Sequence, residues 1–278
     1  MESIPTIQFG KFRITRILLG SNPFGGFSHT DNQLDEEMMD FYTTENIKKT
    51  LLHAQECGIN GFCGRGDRHM VRVLRECANE GKIHMHWFCQ TVPEISDFKA
   101  GIESIIRSKY KPTAIYLHGG MVDLLWQDGK KEIIKEYIKI VKDTGFLTGV
   151  ASHIPEVIQD MESMDMSIDF YLTCFYNLTG RGKKELTVFS GSKGEKFDPE
   201  DPPKMCQVIR SISKPCIAYK ILASGRNSKS YHDLENSFKF AFQNIKPIDA
   251  VLVGVFQKYK DQIKENIEIV QKLLSFYF

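Results

Sequence analysis

Two histidines, a lysine and several amide and guanidinium side chains stand at or just past the ends of short apolar runs. His118 closes AIYLH ahead of Gly119-Gly120, and His153 closes TGVASH. An ordinary imidazole titrates near pH 6.5, so two of them suit general acid and base work, and neutral imidazole also ligates divalent metals. His118 and His153 with Cys174 as third donor make a candidate site for a divalent metal; without a metal, the bland alternative is two hydrogen-bonded structural histidines. Lys220 falls inside the apolar run CIAYKIL, where an unpaired buried ammonium is very costly. It pairs with an inward acid, or it serves as base, Schiff-base nucleophile or anchor for an anionic substrate. Around these three catalytic candidates, Asn22, His29, Arg65, Gln90, Cys174, Asn177 and Arg226 occupy similar positions and are candidate substrate contacts. Asp123 follows His118 by five residues and could orient a histidine, with a surface position the plainer expectation.

Positioning such groups together requires a frame, and the pattern supplies one. Apolar strand cores recur at 17–20, 61–63, 85–90, 114–118, 148–152, 170–175, 216–221 and 250–254, each followed by a helical stretch. Alternating β and α units in this number predict a (β/α)8 barrel, whose chemistry gathers at the C-terminal mouth. Helices are expected near 44–56, 68–80, 97–109, 130–143, 155–164, 202–212, 231–243 and 260–275. Residues 5–16 alternate apolar and polar around Gly10, the pattern of a hairpin capping the barrel bottom. The segment 177–201 is too long for an ordinary barrel loop; it reads as a lid over the mouth or a loose insertion. Phosphate sites of many barrels follow strands seven and eight, so Lys220, Gly225, Arg226 and Gly254 form a candidate anion cradle.

Composition narrows the class. The 278 residues are 42% hydrophobic and 26% charged with net charge +1, which suits a single domain spanning 1–278 and gives no field favouring nucleic acid or an anionic membrane. No apolar run approaches a transmembrane length, and MESIPTIQFGKF lacks the basic start and apolar core of a signal peptide, so a cytoplasmic protein acting on a small molecule is expected. Seven cysteines, none in a C-x-x-C pair, argue against a disulfide framework. Nothing in one chain reads out its oligomeric state.

The order of these segments resembles the aldo/keto reductase superfamily along nearly the whole chain. ITRILLGSNPFGG looks like its first strand and loop, GINGFC its second strand, AIYLHGG its fourth, GVASH its fifth and PCIAYKILASG its seventh. The closing KENIEIV resembles the Glu-Asn of the last helix. The resemblance implies an NADPH-binding barrel, with Ser152 against the nicotinamide amide, Tyr219 under the ring, and Lys258, Gln262 and Asn266 toward the adenosine end. The family's catalytic histidine corresponds to His118, but its aspartate, tyrosine and lysine positions read Cys63, Arg68 and Gln90. His153 replaces an amide-binding asparagine, and Cys174 falls near a glutamine. Three functional readings follow: acid/base chemistry on a small polar carbonyl, sugar or acid; NADPH-dependent carbonyl reduction; or a non-catalytic binding barrel.

Overall fold

The computed structural model describes residues 3–164, 166–179 and 195–277. It opens with an antiparallel hairpin, β1 (Thr6–Phe9) and β2 (Phe12–Thr15). Eight strands then follow: β3 (Ile17–Gly20), β4 (Gly61–Arg65), β5 (His86–Gln90), β6 (Ala114–Leu117), β7 (Leu147–Ser152), β8 (Phe170–Cys174), β9 (Cys216–Tyr219) and β10 (Ala250–Gly254). They pair in parallel in chain order, and β10 closes on β3 to complete a barrel. This is the expected (β/α)8 architecture.

The strands form because their residues are apolar on both faces, as parallel strands covered by helices require. Inward, Leu18, Phe88, Tyr116, Phe170, Leu172 and Ile217 fill the barrel together with Phe9 and Ile14 from the hairpin. The ring of Phe9 meets those of Phe88 and Phe170 edge-on at 5.3 and 5.0 Å, so the hairpin plugs the bottom as its alternation predicts. At the seam, a Cβ on Gly20 would lie 3.1 Å from the Gly254 nitrogen, which explains why glycine ends β3. Below the seam Asp249, fully buried, accepts from the Cys216 and Lys246 amides and from Lys246 Nζ, while its carbonyl accepts from Arg16 Nε.

Two helices depart from the sequence expectation. Asn32–Phe41 is started by Asp31, whose carboxylate accepts from the Leu34 amide at 2.8 Å. Gly119–Gln127 begins directly after β6. Paired glycines often mark a loop, but here they take the first helical turn, where a Cβ on Gly119 would lie 3.4 Å from the Ala151 carbonyl carbon of the neighbouring strand. Three expected strands also end sooner: β6 stops before His118, β8 before Phe175 and β9 before Lys220. Lys220 turns instead through φ 58°. Of the expected lid at 177–201, residues 180–194 lie outside the described residues. No described helix is long and apolar enough to cross a membrane.

Candidate active site

The C-terminal strand ends open into a cavity of about 430 Å³, lined by Asn22, His29, Arg65, Gln90, His118, His153, Tyr219 and Lys220 among others. It extends to the first turn of the final helix, Gln262–Tyr277, where Gln262, Glu265 and Asn266 line it. Its volume lies in the range of small-molecule sites.

His118 is placed by two structures at once. It directly follows β6, its amide donates to Thr91 Oγ1 at 3.0 Å, and its Nδ1 accepts from the Met121 amide at 3.3 Å, capping the helix Gly119–Gln127. An Nδ1 that accepts leaves the ring proton on Nε2. Burial, followed by the charges of His153 and Arg65, pulls its pKa down to about 3. His118 is therefore a neutral imidazole with a hydrogen-bond donor left over.

His153 has the opposite arrangement. Its Nδ1 lies 2.7 Å from Asp123 Oδ2 and donates to it, which leaves Nε2 with the lone pair. Asp123 is fully buried in the helix Gly119–Gln127, contrary to the surface position expected from sequence. Its carboxylate also accepts from the His153 amide (3.2 Å), Thr179 Oγ1 (2.6 Å) and Ser152 Oγ. The helix is thus capped by His118 at its first turn and holds His153 from its second. Strand pairing of Leu117 with Val150 sets the two histidines on adjacent strand ends. Gly119 lies tight between the partners: a Cβ there would sit 3.2 Å from both His153 Cε1 and Tyr219 Oη.

The other expected substrate contacts divide. Gln90 faces the cavity. Asn22 Nδ2 meets His29 Nε2 at 3.3 Å, and His29 Nδ1 meets Glu195 at 3.2 Å, a second imidazole–carboxylate pair at the rim. Burial and the Lys220 charge lower the His29 pKa. Arg65 lines the cavity with its guanidinium bound to Asp67 (3.0 Å) and Glu94 (2.8 Å). Lys220 Nζ lies 3.5 Å from Ser224 Oγ and 5.7 Å from the Phe197 ring. Arg226 stacks on Phe197 at 4.1 Å and donates to the His29 and Ala223 carbonyls, outside the cavity lining. Asn177 and Cys174 are likewise off the lining. The Asn177 amide donates to Asp201, and burial raises the Cys174 thiol to about 12. Among the described residues, the non-glycine positions at positive φ are His29, Lys220, Ala223 and Ser224, all at this mouth. Such backbone costs about 1–3 kcal/mol per residue and clusters at functional sites.

Of the residues implied by resemblance, Tyr219, Gly254, Gln262 and Asn266 line the cavity. Tyr219 packs edge-on to His153 at 5.7 Å, and burial raises its phenol well above the usual range. Gln262 Oε1 accepts from the Phe256 amide, whereas Asn266 is 4% exposed and its amide has no hydrogen-bond partner among the described residues. Ser152 is fully buried with its hydroxyl on Asp123, and Lys258 is off the lining, paired with Glu37 at 2.7 Å. Among the described residues no three His, Cys, Asp or Glu side chains are grouped to hold a metal ion, so His118, His153 and Cys174 do not assemble as a ligand set. Asp123 takes the histidine-orienting position that was the less plain of its two sequence readings, and Thr179 is the functional side chain that sequence reasoning missed. The apolar spacing of Met121, Val122, Leu124 and Leu125 was the signal available, since it places a helix there and turns Asp123 inward with it.

No family model and no curated protein matches the sequence. Solved structures do match. A Pseudomonas aeruginosa protein described as an aldo-keto reductase superposes with TM-score 0.62 at 16% identity, covering 97% of this chain and 94% of the other. The holo form of an aldo-keto reductase from Bacillus halodurans gives 0.61 at 13% over 97% and 96%. The chain has the barrel fold of the aldo-keto reductases. A truncated 3-deoxy-D-arabino-heptulosonate 7-phosphate synthase from Thermotoga maritima also superposes, at 0.55 and 13% over 99% and 92%. The likeness is one of barrel architecture, and chemistry must be argued from the side chains.

Proposed function

We propose that this aldo-keto reductase-like barrel is an enzyme that moves a proton on the carbon beside the carbonyl of a small polar hydroxy-carbonyl compound. One observation carries the reading: two neighbouring imidazoles held in complementary tautomers. His118 offers Nε2–H as a neutral donor to the carbonyl oxygen, and His153 offers the Nε2 lone pair to the α-proton. A neutral imidazole held at a helix N-terminus is a known electrophile for enolisation, because it donates a hydrogen bond to the carbonyl oxygen while carrying no charge itself. Asp123 balances the imidazolium formed on His153. Gln90 and Lys220 orient the substrate's remaining oxygens.

The test is proton exchange in D2O, followed by proton NMR over a panel of small hydroxyketones, hydroxyaldehydes and ketoses. The reading expects exchange at the carbon beside the carbonyl for at least one compound, and a loss of about 10²–10⁴-fold in His153→Gln. A folded protein that exchanges none of them, or a His153→Gln variant as fast as the parent, contradicts it.

A second reading has its own support, the arm of the cavity ending at the buried Asn266 amide, together with the likeness to an aldo-keto reductase in holo form. A nicotinamide dinucleotide would supply hydride. Tyr219 fits beneath a nicotinamide ring and Asn266 fits an adenine edge. The far end does not fit the 2′-phosphate of NADPH: Lys260 pairs with Glu265 at 2.7 Å, Lys258 with Glu37, and Arg65, the arginine on the described lining, is bound to Asp67 and Glu94. Thermal unfolding separates the cases, since a ligand at a hundred times its Kd adds about 2.7 kcal/mol. Equal upward shifts with NADH and NADPH support a dinucleotide role, and no shift with either removes it.

A further inference from the structure

The segment following β8 reaches the histidine pair through the hydroxyl of Thr179. Thr179 Oγ1 donates to Asp123 Oδ2 at 2.6 Å, the same oxygen that receives His153 Nδ1–H at 2.7 Å and the His153 amide at 3.2 Å. The other oxygen, Oδ1, takes Ser152 Oγ, so four donors converge on a carboxylate with no exposure to water. Such a group accepts about four hydrogen bonds, about two on each oxygen, so three donors crowd Oδ2 while Oδ1 takes one. Thr179 is itself held from the far side, where Gln127 Nε2 donates to its carbonyl at 3.2 Å. Gln127 ends the helix that carries Asp123, so hydroxyl and carbonyl clamp one residue to one helix.

We propose that Thr179 is a positioning residue for His153, acting through Asp123: its hydroxyl fixes the oxygen on which the imidazole turns and takes up part of its negative charge. The proposal rests on His153 being the base of the reaction above, but its physical content is separable from that reaction. Thr179 does not touch the imidazole. It sets how strongly Asp123 draws on Nδ1–H and in which plane, hence which way Nε2 points. The groups facing His153 from the surrounding elements are Asp123 on the helix after β6, His118 at the end of β6, His29 in the loop after β3 and Tyr219 on β9. Asp123 is the group among them that Thr179 contacts.

Thr179→Val removes the hydroxyl at nearly constant shape, and Thr179→Ser retains it. With one donor gone, the carboxylate is less well satisfied by neutral groups and favours the imidazolium more. The His153 titration midpoint, followed by imidazole ¹⁵N NMR on the full chain, should rise by about one unit in Thr179→Val relative to the parent and return to the parent value in Thr179→Ser. Melting temperatures of both variants confirm that each is folded. If Thr179→Val does not fold, Thr179→Cys, a much weaker donor, should shift the midpoint in the same direction. A midpoint unchanged in the valine or cysteine variant, or displaced equally in the serine variant, overturns the proposal. A shifted midpoint in a protein that exchanges no substrate proton would leave Thr179 its role and remove the reaction.

Discussion

Replacing Asp123 separates its two duties, accepting hydrogen bonds and carrying charge. In Asp123→Ala the Ser152 hydroxyl still reaches the Ile154 carbonyl at 3.2 Å, and Thr179 is exposed enough to find water. The His153 amide and Nδ1–H lose their acceptor in a setting where the His153 side chain is only 14% exposed. At about 1–3 kcal/mol for each orphaned group, the loss comes to about 2–6 kcal/mol, a large share of the roughly 5–15 kcal/mol typical of a domain. Asp123→Asn keeps a carbonyl for the His153 donors and turns its amide toward Ser152 Oγ, which can accept. Only the difference between charged and neutral hydrogen bonds is lost, about 1–2 kcal/mol. Urea unfolding at neutral pH measures both variants. Proton exchange should nonetheless fall about 10²–10⁴-fold in Asp123→Asn, since the imidazolium loses its counter-charge. Equal stability of the two variants, or a less stable asparagine variant, would refute the hydrogen-bond account of this carboxylate.

Other expected outcomes follow from the same geometry. His118→Asn keeps a good helix cap but removes an imidazole that stays neutral in the folded chain down to about pH 3. Unfolded histidine binds its proton near pH 6.5, so the unfolded state takes up more protons in the window between, and stability falls as pH drops through it. By about pH 4.5 this amounts to about 2.7 kcal/mol. The parent's urea midpoint should therefore fall more steeply on acidification than the variant's, and parallel slopes would contradict the depressed titration. Gly119→Ala places a methyl 3.2 Å from His153 Cε1 and Tyr219 Oη; proton exchange should drop at least about tenfold while stability stays within about 1 kcal/mol, because alanine suits a helix better than glycine. Gly149→Ala drives a methyl into the Phe170 ring inside the barrel. Overpacking of this kind should remove about 1–3 kcal/mol and lower the melting temperature by several degrees, and an unchanged melting point would mean the ring moves freely.

The sequence pattern placed the barrel well because parallel strands are continuous apolar runs, and β3 and β10 begin and end where the pattern predicts. It likewise put His118, His153, Gln90 and Lys220 at one mouth, since the fold fixes strand ends. It failed where a local signal and a tertiary one compete. Gly119-Gly120 reads as a break in sequence, yet a helix begins on it, with His153 and Tyr219 close against Gly119, and that helix carries Asp123 inward. Lys220 reads as part of an apolar strand, but the ladder stops at Tyr219 and the lysine turns through a left-handed conformation. Ser152 shows the limit of analogy. Its position corresponds to a cofactor contact in the family it resembles, while its hydroxyl here completes the Asp123 network. Partners such as Asp123 and Thr179 lie 56 residues apart in sequence, and no periodicity records such a pairing.

The central claim is that His118 and His153 present opposite tautomers to one cavity. Long-range ¹H–¹⁵N correlation spectra of the imidazoles at neutral pH, assigned with His118→Asn and His153→Gln, read each ring directly. The account predicts His118 neutral with its proton on Nε2 and His153 with its proton on Nδ1 toward Asp123. The same tautomer on both rings, or a protonated His118, would contradict it.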